Sequence, residues 1–287
     1  MTHALLAAAL AVTLQQTDTT VNVRANGRLE VENFQGRISV ASWERDQVRV
    51  RARHGRNVRI EIDQSGSTVS IEGHNRRGAP GDIAYDITVP RSFEIEIEAI
   101  NSTIEVADVN GDVNVETING HVMLSGIAGR IQAGSTQGRV TVRDSRGNLQ
   151  AETVNEAIVI TNHTGDIEAE TINGSITLSG IRAAVVTAET VNGSVQYDGE
   201  IRASGRYDLS THNGSITITI PEGTHATVSV ATWNGELQAD FPLQFRGSTG
   251  GQRRTSFTIG NGGARVHLAS FGGDIRLRRP AGRPDPR

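Results

Sequence analysis

Thr171-Ile172-Asn173-Gly174-Ser175-Ile176-Thr177-Leu178 decides how this chain folds. The unit returns as Thr117-Ile118-Asn119-Gly120, Ser135-Thr136-Gln137-Gly138, Thr153-Val154-Asn155-Glu156 and Thr190-Val191-Asn192-Gly193. Its fourth position falls at 120, 138, 156, 174 and 193, a period of eighteen with one slip to nineteen. A second series, Gly111, Gly129, Gly147, Gly165 and Ala184, sits midway, so each period divides into two halves of nine. A fixed period near twenty residues is the mark of a solenoid.

Each half carries apolar residues two and four places after its bend: Ile176 and Leu178, Val140 and Val142, Ile158 and Ile160, Val113 and Val115. Spacing of two is the strand period, with one face buried and the other wet. Gly every nine residues, with so many Val, Ile and Thr, opposes a helix. The expectation is an all-β chain: a single parallel β-solenoid of roughly 18–21-residue coils, with an N-terminal strand meander as its cap. One coil cannot bury its own apolar face, so stability belongs to the array.

The third position of the unit recurs as Asn101, Asn119, Asn155, Asn173, Asn192, Asn213 and Asn234. Asn tolerates the bend before Gly, and its amide can bond the equivalent amide one coil away. The leading expectation is therefore a structural ladder of Asn119, Asn155, Asn173, Asn192, Asn213 and Asn234. The alternative pairs each Asn with the Thr two places earlier as a flat Thr-x-Asn face for an ordered ligand, even ice.

Outward from the repeat, Ala4 to Leu14 is an apolar Ala/Leu run before Gln15-Gln16-Thr17-Asp18, and it reads as the core of a secretory signal peptide. The alternative is a buried first helix or strand. Leu29 to Val40 looks like an early coil with its own bend. Val48-Arg49-Val50-Arg51, Val58 to Ile62, Val69-Ser70-Ile71 and Ile83 to Val89 continue the alternation less regularly, with a loop at 73–82. The expected division is residues 1–16 signal peptide, 20–90 N-terminal strands and cap, 91–278 solenoid, and 279–287 disordered tail. After Asp198 the array loosens. Thr211-His212-Asn213-Gly214 and Thr232-Trp233-Asn234-Gly235 are twenty-one apart and read as coils with small insertions. Leu243 to Thr255 is a Gly/Arg loop, and the segments around Phe257 and Phe271 close the array.

The Val89-Pro90 opening, the recurrent Thr-x-Asn-Gly-x-[Ile/Val] units and the closing Ile259-Gly260-Asn261-Gly262 resemble a bacterial domain of unknown function. That family is labelled putative adhesin, or β-strand-repeat protein. The likeness covers roughly Leu29 to Leu277. It implies an exported or envelope-associated β-solenoid and brings no catalytic residues with it.

The 287 residues are 36% hydrophobic, enough for one large β domain. Net charge is −4, too mild to imply nucleic acid. With no Cys, disulfides, thiol catalysis and a lipidated N-terminal Cys are excluded. No stretch of the mature chain approaches a transmembrane helix in length. No hydrolase elbow, zinc-protease helix, phosphate loop or calcium nonapeptide is present, so no catalytic residue, cofactor or metal site is expected. His163 occupies a slot that other coils fill with Val109, Ile127 and Ile181, and reads as an inward, hydrogen-bonded His.

Charge placement is the one surface feature above background. Residues 92–200 hold sixteen Asp/Glu against five Arg, a net of −11 within a chain of −4. Glu116, Glu152, Asp166, Glu168, Glu170 and Glu189 fall on wet positions of the same half-coil and are the candidate partner-binding residues. The plain alternative is a solvated face that prevents aggregation. The expected function is a non-enzymatic, exported structural or interaction module of the bacterial cell envelope, adhesin-like, with an unknown envelope protein or polymer as partner. The competing reading is a carbohydrate-active β-helix enzyme, a polysaccharide lyase or hydrolase, or a polysaccharide binder, using the acidic face.

Overall fold

The computed structural model describes residues 15–75, 81–243 and 254–280. The expected signal-peptide core and the tail from 281 onward lie outside these residues, as do positions 244–253 of the Gly/Arg loop. The described residues form twenty-four strands in one connected sheet system and no helix.

The repeat folds as stacked two-strand coils. Val113–Thr117 lies parallel on Ile131–Ser135, with Val113 opposite Ile131 and Val115 opposite Ala133. Leu149–Thr153, Ile167–Thr171, Val185–Thr190 and Arg206–Thr211 extend that sheet in the same register. The second half of each coil builds the facing sheet from Val122–Ser125, Val140–Arg146, Ile158–Thr164, Ile176–Ile181, Val195–Gly199 and Ile216–Thr219. Ile176, Leu178, Val140, Val142, Ile158 and Ile160 are all buried between the two. The first sheet turns Ala133, Ala151, Ala169 and Ala188 inward where the second turns Val142, Ile160, Leu178 and Tyr197. Small side chains on one wall leave room for large ones on the other, which suits a thin, close-packed core. The wider coils after Val185 fill with Tyr197 and Tyr207, whose rings meet edge to face at 5.6 Å.

The bends nest closely. A Cβ at Gly174 would stand 1.8 Å from the Glu156 carbonyl oxygen of the coil before. At Gly165 the backbone has φ +136, a conformation that favours Gly, and a Cβ there would stand 2.0 Å from the Gly147 carbonyl oxygen.

At the N-terminal end Arg28–Trp43 is already a full coil. It pairs in parallel with Glu94–Ala107 on one side, and with Thr68–Asn75 and Ile83–Pro90 on the other. Antiparallel strands then close both sheets: Val58–Ser65 on the first, Gln47–His54 and Gln15–Asn22 on the second. Residues 73–75, expected in a loop, belong to the strand Thr68–Asn75.

The C-terminal order differs from the sequence reading. Ala264–Ser270 stacks directly on Arg206–Thr211, and Ala226–Thr232 comes beyond it. The antiparallel Arg254–Ile259 covers the outer edge of Ala226–Thr232. The coil around Phe271 is therefore an insertion between the coils of Asn213 and Asn234, and no exposed parallel edge remains on this side of the first sheet.

Candidate interaction face

Parallel stacking turns the repeat's outward positions into columns. In the first sheet Glu98, Glu116, Gly134, Glu152, Glu170 and Glu189 are successive cross-strand partners, ending at Ser210. Glu32 pairs with both Glu98 and Glu72, so the column starts earlier than the repeat does. The signal was available: Glu32-Asn33-Phe34 is spaced like Glu98-Ala99-Ile100. Neighbouring strands lie about 4.8 Å apart, which sets the rise between these carboxylates. Glu168 lies in the adjacent outward column, opposite Gln150 and Thr187.

Like charges at this spacing repel, and the middle of the column feels it. The Glu170 carboxyl is held above the ordinary carboxylate range, by partial burial first and then by Glu168, Glu189 and Glu152. None of Glu116, Glu152, Glu168, Glu170 and Glu189 forms an ion pair among the described residues; Gln150 Nε2 donates to Glu152 (2.7 Å). At the N-terminal end Arg28 partly neutralises the neighbouring column, donating to Glu94 (3.0 Å) and Glu96 (2.9 Å).

Asp166 sits at the edge of this face, exposed beside Glu168. It lies in a bend, and its Oδ1 accepts from the backbone N–H groups of Ala184 (3.3 Å) and Val185 (3.0 Å). Its carboxylate thus also serves the turn, while its backbone carbonyl accepts from the Leu149 N–H (2.9 Å) and continues the ladder to the coil before.

The Thr-x-Asn face is corrected. The Thr of each unit points inward: Thr153, Thr171 and Thr190 are buried. Their hydroxyls donate to bend carbonyls one coil back, those of Gly138 (3.0 Å), Glu156 (3.1 Å) and Gly174 (2.8 Å). A flat ligand face of paired Thr and Asn therefore does not exist. The Asn side chains link directly. Asn119 donates to Asn101, Asn173 to Asn155, Asn192 to Asn173 and Asn213 to Asn192, each at 2.8–2.9 Å. Gln137 interrupts the row, and Asn155 reaches only the Thr136 carbonyl (3.5 Å). Asn234 is cut off from Asn213, because the inserted coil places Phe271-Gly272 between them.

His163 is fully buried beneath this surface, opposite Ser145. Its Nε2–H donates to the Gly147 carbonyl (3.0 Å), while Nδ1 has no partner. Burial outweighs that bond and holds the imidazole below its usual pKa, so it is neutral. Among the described residues no cluster of three or more His, Cys, Asp or Glu is arranged to hold a metal ion. No helix among them is long and apolar enough to cross a membrane.

Two solved structures share the course of the chain only distantly. A putative cell adhesion protein from Clostridium sporogenes aligns over 93% of this chain and 100% of its own, at 9% identity and a TM-score of 0.27. A putative adhesin from Bacteroides fragilis aligns over 92% and 97%, at 11% identity and a TM-score of 0.40. No curated protein matches the chain. The family model described as Toastrack DUF4097 matches residues 10–278, nearly the whole length, and this β-solenoid belongs to that family.

Proposed function

We propose that this chain is a non-enzymatic, exported interaction module of the cell envelope that docks a basic partner on its acidic sheet. The observation that carries the reading is repetition. Glu116, Glu152, Glu170 and Glu189 occupy equivalent rungs. Acid–base catalysis by carboxylates needs two whose environments push their pKa values apart at one place. A docking face is served by many equivalent charges, each contributing little. Export rests on the apolar run Ala4 to Leu14, and the periplasm, the cell surface and the medium are equally compatible with it.

The test is binding by the full chain to envelope proteins and polymers across a salt series. Changing Glu152, Glu168 and Glu170 together to Gln should leave the fold intact and weaken any basic partner, with a flatter salt dependence. Cleavage of an envelope polysaccharide by the wild type, abolished by Glu168→Gln alone, would establish the carbohydrate-active reading instead.

A further inference from the structure

The acidic column has an apolar neighbour on every coil from Glu32 to Glu189 except one. In each Thr-x-Asn-Gly unit the Thr is committed inward and the Asn to the ladder, so x is forced out at the corner between the sheets. Each unit's third residue donates its backbone N–H to the carbonyl of the x residue on the adjoining coil, which fixes the stacking: Asn119 to Ile100, Asn173 to Val154, Asn192 to Ile172, Asn213 to Val191. Ile100, Ile118, Ile172 and Val191 are 38–46% exposed at this slot, and Phe34 opens the row at 41%. A single exposed Ile needs no explanation, but a large apolar residue at one slot on coil after coil marks an interaction surface. One coil breaks the row with Thr136, and the same coil breaks the carboxylate column with Gly134 and the amide ladder with Gln137.

At its N-terminal end the rib becomes a groove. Arg28–Trp43 turns the corner after Glu32, whereas Thr68–Asn75 runs on and is paired to its end only with Val58–Ser65. The overrunning strand forms a wall at Gly73 and His74. Between wall and rib lies a space of about 560 Å³ whose lining includes Phe34, Ile100 and Ile118 beside Glu32, Glu98 and Glu116.

We propose that this groove and the rib leading from it seat a basic amphipathic helix of a protein partner. Its apolar side would lie on Phe34, Ile100 and Ile118, and its Lys or Arg residues against Glu32, Glu98 and Glu116. The inference rests on the docking reading above and gives its partner a form. Charge sets the sign: carboxylates flank the apolar strip and repel an anionic membrane. Spacing selects the element. Coils repeat about every 4.8 Å and a helix about every 5.4 Å, so turn and rung stay matched over several coils. Same-side residues of an extended strand recur about every 6.6–6.8 Å and lose step at once.

The probe is a fluorescently labelled 18-residue helical peptide, Leu along one face and Lys on its flank, titrated with the full chain by anisotropy. Controls are the same composition scrambled to abolish the apolar face, a Glu-for-Lys analogue, and phosphatidylglycerol vesicles. Ile100→Thr with Ile118→Thr uses the residue the chain itself carries at 136, and should leave the unfolding midpoint unchanged while weakening peptide binding at least tenfold. Glu98→Gln with Glu116→Gln should weaken it and flatten its salt dependence. If the Gln pair weakens binding while the Thr pair and the scramble do not, the helix inference falls and acidic docking stands. If no basic peptide binds at low salt, both fall. Vesicle binding or self-association that requires Ile100 and Ile118, with no peptide binding, would overturn the helix as occupant.

Discussion

The two sheets of this solenoid share one core and one repeat, yet they present different surfaces. The first carries Glu116, Glu152, Glu170 and Glu189 in one column. The second carries Thr141, Val159, Thr177, Gln196 and Thr217 in one outward column that begins at Glu105 and Met123 and ends at Arg276, with Arg143, Thr161, Ser179 and Asp198 beside it. Thr and Val suit a strand surface, and Thr–Thr neighbours are mildly favourable, whereas stacked carboxylates work against the ladder that holds them. The fold therefore does not require the acidic face. The second sheet shows that the repeat stacks with a largely neutral outward column, and the acidic face departs from that at a cost in stability.

The largest expected effect breaks both faces at once. Ile176→Asp would place an unpaired charge among Ile158, Val195 and the facing sheet. It should destabilise by on the order of 5 kcal/mol and unfold the neighbouring coils. Urea unfolding followed by far-ultraviolet circular dichroism reads this, and a soluble variant with an unchanged midpoint would contradict a shared core.

An intermediate effect is expected at the corner joining the faces. Asn173 donates to Asn155 and accepts from Asn192. Asn173→Ala removes both bonds, and because they are exposed the loss should be about 1–2 kcal/mol. The midpoint in urea should fall while binding on the acidic sheet persists. Lost binding with unchanged stability would make the amide row part of the site.

The smallest effect separates the faces by pH. With its carboxyl held above the ordinary range, Glu170 takes up a proton more readily in the folded chain than in the unfolded one. The destabilisation it causes is absent in acid and develops as pH rises through and above that range. Glu170→Gln should thus stabilise by about 0.5 kcal/mol at neutral pH, and the gain should vanish on acidification. Thr177→Gln on the other face should give no such pH-dependent gain. Equal pH profiles for the two variants would mean that solvent screens the column completely.

Period and inward alternation were legible in the sequence because both are local. Ile176 and Leu178 announce their direction by spacing alone, and the carboxylate column with its Gly134 gap follows from the period. The order of the last coils was not legible. Thr211 to Gly214 and Thr232 to Gly235 look consecutive, yet Ser270-Phe271-Gly272-Gly273, which keeps little of the pattern, stacks between them. A parallel strand can lie on any edge with a matching apolar face, and only three-dimensional packing chooses which. The inward Thr was missed for a related reason. A hydroxyl at a strand's end is ambiguous until the carbonyl it reaches, fifteen residues back in the case of Thr171 and Glu156, is known. That Asp166 also accepts from the next turn was not legible, because a nine-residue half-coil does not say where the strand stops and the bend begins.

The coil that carries Gly134, Thr136 and Gln137 also changes how load would pass along the molecule. A rod pulled along its axis transmits one force through every coil. On both sides of Gln137 the amide link is missing: Asn119 is tied toward Asn101, and Asn173 toward Asn155. Tension there passes instead through the backbone ladder and other side-chain ties, with Gln132 donating to Gln150 (3.4 Å), Ser135 to the Gly120 carbonyl (2.9 Å) and Thr153 to the Gly138 carbonyl (3.0 Å). The gap in the corner row thus leaves the rod continuous, and load crosses it on the flanks of each coil.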